Sequence, residues 1–553
     1  MRLKRNFKRI ITLAMAFAMV LSIGLTPKTA YAAEVKADVR SIANVPNDLS
    51  GKTIILHTND VHGAIDGYAQ AAALKYEFKA RGAEVILADA GDFSQGTPYV
   101  STTKGNDAIT MMNFAGYDVA TLGNHEFDYG YDQLKSNLSR AWFKTICADV
   151  LDKNGKPILD PTYEFTSASG LKVGFFGMET PETQTKVNPA LIKGIKFLSK
   201  TELYPCAQEQ INKLKSDGCD VIVCLAHLGV DNESAADGHR SVDLYAKTTG
   251  IDIILDGHSH TVMTAGENGE PVQSTGTKFE KVGVVVIDNA TKKIEDNYLI
   301  KVDDGIVKAP AIEALSKSIT DRVDAEYGVE FAKSEVELNG KKDPGVRTQE
   351  TNLGDLITDA IKWSVLKEGG LKVKEDHVVA ITNGGGIRAS INAGGVTKKD
   401  LNTVLPFGNT ISVVYISGAD LLEALEASTF STPGAIGGFS QVSGIKYTID
   451  TSKPFAQGEA YPASTYYKPA AINRVTIESI NGKPFSATDK YAVVTNNFCA
   501  AGGDTYYAFA NASEQFDTGI VMDEAVMDFV QTELKGVISA KDYGTVHGNI
   551  VIK

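Results

Sequence analysis

Seven residues of this 553-residue chain have the types and spacing to hold two divalent cations: Asp60, His62, Asp92, Asn124, His227, His258 and His260. They fall in five short segments: Thr58-Asn59-Asp60-Val61-His62, Gly91-Asp92, Gly123-Asn124-His125-Glu126, Ala226-His227 and Gly257-His258-Ser259-His260. Asp60 and His62 are two apart just past an extended run, so their side chains can face one side. Asp92 has two carboxylate oxygens and can bridge two ions. Asn124 offers a neutral carbonyl oxygen, and His227, His258 and His260 offer imidazoles. Mixed nitrogen and oxygen ligation without thiolate suits Zn, Mn, Co or Fe rather than a cysteine-type structural zinc. A water between two such cations deprotonates near neutral pH, and the resulting hydroxide can attack a phosphate ester.

His125 directly follows Asn124, and Asp128 lies three residues further on. His125 is expected to meet a leaving-group or phosphoryl oxygen, with Asp128 holding its tautomer. Each residue taken singly has a plainer reading. An Asp past a strand is commonly a helix cap, an Asn a turn residue, and a His a satisfied core or surface group. Five of the nine histidines falling in Asp/Asn/His clusters is what moves the reading to chemistry. His57, His239, His377 and His547 keep the structural one.

Elements able to position these residues are legible around them. Short apolar runs over 52–56, 84–88, 118–122, 172–177, 220–226 and 251–255 read as buried strands, and 68–81, 106–116 and 202–217 have helical spacing. Strands alternating with helices predict α/β layering. Ligands of such sheets collect beyond the carboxyl ends of the strands, where all five segments sit. Residues 309–332 are polar with helical spacing and read as a helix joining two domains; a second α/β unit starts near 346.

Residues 1–32 are of another kind. A basic head (Arg2, Lys4, Arg5, Lys8, Arg9) precedes an apolar run over 10–25 and the small-residue site Ala30-Tyr31-Ala32. This predicts a secretory leader cut after Ala32, with no transmembrane segment in the mature chain. Removing the leader's six basic residues takes the formal charge from −13 to −19. Such a chain is a poor partner for nucleic-acid polymers, which want a basic face. Small phosphorylated substrates need only a local positive site. The five cysteines are odd in number and show no metal-binding spacing, so no disulfide is expected.

These segments resemble the calcineurin-like metallophosphoesterase signature. The wording His57-Thr58-Asn59-Asp60, Gly123-Asn124-His125-Glu126-Phe127-Asp128 and Gly257-His258-Ser259-His260 is similar to its 5′-nucleotidase branch, the secreted bifunctional UDP-sugar hydrolase/5′-nucleotidase type. So are Glu350-Thr351-Asn352-Leu353-Gly354-Asp355, Asn383-Gly384-Gly385-Gly386-Ile387-Arg388, Leu405-Pro406-Phe407-Gly408-Asn409 and Gly502-Gly503-Asp504 in the second unit. The resemblance implies a four-layer α-β-β-α sandwich over 49–305, a connecting helix over 306–335 and an α/β nucleotide-binding domain over 336–553, after a leader over 1–32 and a linker over 33–48. It implies one metal on Asp60, His62, Asp92 and His260, and a second on Asp92, Asn124, His227 and His258. His125 and Asp128 match the family's catalytic dyad. Arg347 and Arg388 match its phosphate-holding arginines, with Asn383 in the same pocket. Phe439 and Phe498 match the rings that sandwich the base, and Asp504 the acid that binds ribose hydroxyls. The family's second domain swings to carry substrate to the metals. Ala64 stands where some animal members carry a further phosphate-binding arginine.

The activity expected is exported 5′-nucleotidase, by in-line attack of metal hydroxide on a nucleoside 5′-phosphate. A 2′,3′-cyclic nucleotide phosphodiesterase or a UDP-sugar/NAD pyrophosphatase would use the same site. A non-catalytic nucleotide-binding or adhesion protein would need a broken ligand set, and the set is complete. The sequence does not choose between monoester and diester.

Overall fold

The computed structural model describes residues 37–553 apart from 188–190, 232–233, 235–237 and 463. The expected leader lies outside the described residues. No helix among those described is long and apolar enough to cross a membrane, and all five cysteines are unpaired.

Two large sheets form the body of the first lobe. One runs in space through Val39–Arg40, Lys293–Lys301, Lys281–Asp288, Lys52–Thr58, Glu84–Asp89, Val119–Ala120 and Lys144–Thr145. The other runs through Val262–Met263, Val272–Thr275, Ile253–Asp256, Val221–His227, Lys172–Glu179 and Thr162–Thr166. Their packing follows from the two-residue period of a strand. Ile54 and Leu56 point into a core shared with the helices Tyr68–Ala80 and Asn106–Ala115, while Ile55 between them faces the second sheet. Across that interface Val221, Val223 and Leu225 face Ile55, and Ile222, Cys224 and Ala226 face the helix Leu203–Ser216. Both faces of both sheets are therefore buried, and the layers read helix, sheet, sheet, helix. Sealing a side chain such as Ile55 contributes roughly 1.5–3 kcal/mol, which is why these runs are apolar throughout rather than alternating.

The central strands of each sheet are parallel. Parallel strands finish on one edge, so the segments after Thr58, Asp89, Ala120 and Asp256, and His227 at its own strand's end, arrive together. The expected strand over 118–122 is shorter than its apolar run, because only Val119 and Ala120 pair with the neighbour before the chain turns toward Gly123.

The second lobe has a five-stranded sheet ordered Ser440–Ser443, Val378–Asn383, Lys490–Asn496, Thr410–Ser417 and Glu514–Val521. Val413 and Val494 face the core under the helices Asn352–Glu368 and Met522–Thr532, and Val414 and Val493 face the opposite core under Gly418–Ala427. The strands Val378–Asn383 and Lys490–Asn496 are parallel, so Asn383 and the residues after Asn496 share one edge.

The joining helix needs correction. It runs over Pro310–Tyr327 rather than to 332, and Gly328 caps it. Ala332 lies instead in the strand Glu330–Ser334, which pairs with Gly394–Thr397 and Val537–Ile538 of the second lobe. Nor is the helix a bare connector. Ile312, Ser316, Ile319 and Val323 make a buried stripe, and Ile312 and Ile319 enter the first lobe's core. Its polar composition describes only its other face.

Candidate metal centre

All seven candidate ligands lie on the shared edge of the first lobe's sheets, and their donor atoms converge. Nε2 of His62 lies 3.0 Å from Nε2 of His260. Asp60 Oδ1 lies 3.3 Å from His260 Nε2 and 3.8 Å from His62 Nε2. Asp92 Oδ2 lies 3.2 Å from His227 Nε2 and 3.7 Å from His62 Nε2. Asn124 Oδ1 lies 3.0 Å from His258 Nδ1. Three sets, Asp60/His62/His260, Asp60/Asp92/His227 and His62/Asp92/His125, each bring their donor atoms within 4.8 Å of one another.

These donors fit cations better than they fit each other. Two imidazole nitrogens facing across 3.0 Å can share one proton at most, whereas with both unprotonated the two lone pairs can point at one cation. His227 donates Nδ1–H to the Ala90 carbonyl at 2.7 Å, which aims Nε2 inward, yet that buried nitrogen has no hydrogen-bond partner. Backbone carbonyls fix metal-binding histidines in the same manner. Burial opposes charge on Asp92, but His227, His125 and His62 outweigh it and hold its carboxyl well below the usual range, while at His227 the carboxylates outweigh burial and raise the ring well above its usual value. For His62, burial wins and keeps the ring neutral, the form a metal takes.

The backbone is bent to make this convergence. Asp60 (φ 51°), His62 (45°), Asp92 (63°), His258 (73°) and His260 (54°) all occupy the left-handed region, at a cost of about 1–2 kcal/mol each. Such strain collects at functional sites because the surroundings over-determine it. Glu126 is one such surrounding. Its buried carboxylate accepts the backbone N–H of Asp92 (2.8 Å), Phe93 (3.0 Å), Ser94 (3.0 Å) and Gly123 (2.7 Å), tying the Asp92 turn to the Asn124 turn. Gly123 permits the close approach, since a Cβ there would stand 2.3 Å from Asp92 Oδ1.

His125 stands at the mouth of the cluster. Its Nδ1 bonds Asp128 Oδ2 at 2.6 Å, and its Nε2 is 4.0 Å from Asp92 Oδ2. A cleft of about 450 Å³ opens here between the lobes. Asp92, Asn124, His125, Asp128, His258 and His260 line one wall, and Arg347, Asn383, Arg388, Phe498 and Asp504 the other. Asp60, His62 and His227 lie buried behind the first wall. Asn383 Nδ2 donates to Asp504 Oδ2 at 2.7 Å. Burial, joined by the like charge of Arg347, pulls the Arg388 guanidinium down to about 10, while Asp128 and Asp92 act against this from across the cleft.

One expected pocket residue does not reach the cleft. Phe439 is fully buried in the second lobe's core, where the aromatic ring is sealed with Ile381, Val442 and Tyr506. Phe407, half-buried, takes the place at the cleft instead. It lies in the loop after the helix Lys398–Val404, lines the cleft, and stacks on His125 with ring centroids 5.8 Å apart. Phe498 rests on Gly503, where a Cβ would stand 2.3 Å from the ring. The signal for Phe407 was present in Pro406-Phe407-Gly408-Asn409, a turn sequence that leaves a ring little to pack against.

The sequence matches the calcineurin-like phosphoesterase model over residues 53–262 and the model of the 5′-nucleotidase C-terminal domain over 330–511. This chain is a calcineurin-like phosphoesterase with a 5′-nucleotidase C-terminal domain. The phosphoesterase is 29% identical over 541 residues to the trifunctional nucleotide phosphoesterase protein YfkN of Bacillus subtilis, covering 88% of this chain and 34% of that protein. It thus spans about a third of that relative's length. It is 28% identical over 566 residues to a 5′-nucleotidase of Vibrio parahaemolyticus, covering 91% of this chain and 94% of the other. In three dimensions it is similar to a 5′-nucleotidase precursor from Thermus thermophilus, with a TM-score of 0.75, 28% identity, and coverage of 91% and 99% of the two chains. The fold makes this phosphoesterase a metal-dependent phosphoric ester hydrolase; it implies divalent cations, and the clustered Asp and His side chains are able to hold them.

Proposed function

We propose that the chain is an exported 5′-nucleotidase that hydrolyses nucleoside 5′-phosphates to nucleoside and phosphate, directed out of the cytosol by its leader. The observation that carries the reading is the cleft, which sets two arginines and two aromatic rings of one lobe against the Asp/His cluster of the other. Names borne by relatives along nearly their whole length support it.

In this reading Asp60, His62, Asp92 and His260 hold one cation and Asp92, Asn124, His227 and His258 the other, with Zn, Mn or Co suiting the donors. Bound there, two cations would supply Lewis-acid stabilisation of phosphoryl oxygens and a water acidic enough to attack phosphorus. The side chains do the rest. Arg347 and Arg388 hold the phosphate, whose oxygens suit planar guanidinium forks. Phe407 and Phe498 take the base between them, and Asp504, set by Asn383, accepts the ribose hydroxyls. His125 faces the departing nucleoside oxygen, steadied by Asp128.

Phosphate release from AMP, UDP-glucose, 2′,3′-cyclic AMP and bis-p-nitrophenyl phosphate, with Mn²⁺ or EDTA, tests the reading. Strong EDTA-sensitive release from AMP is expected. Preference for a diester would move the activity to a phosphodiesterase, and silence on all four despite bound metal would end the nucleotidase reading.

Two phenylalanines give a sharper expectation. Phe407→Ala should lower the ratio of kcat/KM for AMP to that for p-nitrophenyl phosphate about tenfold, the scale of one base stack. Phe439→Ala should instead cost about 3–5 kcal/mol of stability through a core cavity, read as a fall in Tm with that ratio unchanged. The opposite pattern would restore Phe439 to the pocket.

A further inference from the structure

Lys186 ends the short helix Thr183–Lys186 on the metal-side wall and lines the cleft. Its ammonium lies between the two lobes. On its own side it is 3.9 Å from Glu182 Oε2. That carboxylate bonds His258 Nε2 at 3.1 Å and His239 Nε2 at 3.0 Å. On the far side Lys186 donates to the Tyr466 hydroxyl at 2.9 Å and lies 3.9 Å from Asp504 Oδ1. A line of charged contacts therefore runs from His258, through Glu182 and Lys186, to the carboxylate of the second lobe's pocket.

An ordinary surface lysine would be solvated and its ion pairs would contribute little. Lys186 is different, with its side chain 14% exposed and its two carboxylate neighbours at 2% and 3%. Carboxylates buried that far need cationic company. The ammonium supplies it to both, and it approaches Asp504 on Oδ1, while Asn383 bonds Oδ2.

We propose that Lys186 is a positioning residue that sets specificity: reaching from the metal lobe, it holds the Asp504 carboxylate aimed into the cleft, and so favours phosphate esters that carry a ribose over those that do not. The proposal rests on Asp504 serving the ribose hydroxyls, as in the nucleotidase reading. Glu182, hydrogen-bonded to His258 and 3.9 Å from the Lys186 ammonium, links that recognition to the metal cluster.

The test uses the Mn²⁺-loaded full chain with Lys186→Met, Lys186→Arg and Tyr466→Phe. It measures steady-state kinetics on AMP and p-nitrophenyl phosphate, and adenosine affinity by calorimetry. Lys186→Met should cut the AMP to p-nitrophenyl phosphate ratio of kcat/KM about tenfold, chiefly through KM, and weaken adenosine by a similar factor. Lys186→Arg should recover most of that loss. Tyr466→Phe, which removes only the hydroxyl acceptor, should shift the ratio the same way by roughly two- to threefold, and stands in should the Met variant fail to fold. Equal losses on both esters, or unchanged adenosine binding in the variants, would overturn the proposal. A wild type that cleaves AMP with a ratio indifferent to Lys186 sinks this inference alone. A wild type that binds adenosine through Lys186 but releases no phosphate from AMP sinks the nucleotidase reading alone.

Discussion

Asp92→Ala is expected to strip the protein of both cations and to lower kcat/KM for AMP by about a thousandfold or more, because one carboxylate serves both halves of the proposed centre. Its Oδ2 lies 3.2 Å from His227 Nε2 on one side and 3.7 Å from His62 Nε2 on the other, while its Oδ1 accepts the His125 N–H at 2.9 Å. Alanine removes the shared ligand and frees the turn that carries His125. Metal analysis after dialysis should find the wild type with about two equivalents and the variant near none. Asp92→Asn separates the two losses. Its amide oxygen can still accept from His125, so the turn should hold and Tm stay close to the wild type while metal is lost. Two retained equivalents in either variant would mean that Asp92 is not the bridge.

The sequence carried the convergence of the candidate donors because chemistry and topology coincide there. A buried parallel strand is a short apolar run, its end is marked by a Gly, Asp or Asn, and a donor just past that mark lies on the ligand-bearing edge. Asp60, Asp92, Asn124, His227 and His258 could be placed in this way. The conformation they adopt was not legible, since a left-handed Asp92 is imposed by neighbours such as Glu126 and Gly123 rather than by its own type. The second lobe was harder. Phe407 and Phe439 each follow or precede a glycine within a loop, and only tertiary packing decides that one ring is sealed in the core and the other faces the cleft. Lys186 gave no local signal at all, as its partners Tyr466 and Asp504 lie some 280 and more residues away. The helix Pro310–Tyr327 was expected, but its packing was missed for the reverse reason: its sequence describes the polar face, while the buried stripe is only four residues, Ile312, Ser316, Ile319 and Val323.

His125→Ala should leave metal content intact and lower kcat by two or more orders of magnitude, within the range of about 10²–10⁴ that general acid–base groups contribute. The separation from Asp92→Ala follows from geometry. His125 turns its Nδ1 away from the cluster to Asp128 at 2.6 Å and stacks on Phe407, so the ring belongs to the cleft rather than to the ion sites. With Nδ1 held by Asp128, Nε2 is the ring atom turned toward the cleft, and a proton donated to the leaving oxygen would come from there. That proton is aimed where charge develops on the departing oxygen, so the loss should fall on kcat while KM for AMP moves only severalfold. Esters with a good leaving group need the proton less. The defect on p-nitrophenyl phosphate should therefore be smaller than on AMP, and Asp128→Asn should show the same ordering with a milder loss. Equal defects on both esters would assign His125 to phosphoryl stabilisation instead, and loss of a metal equivalent would make it a ligand, as its 4.0 Å approach to Asp92 would then have meant.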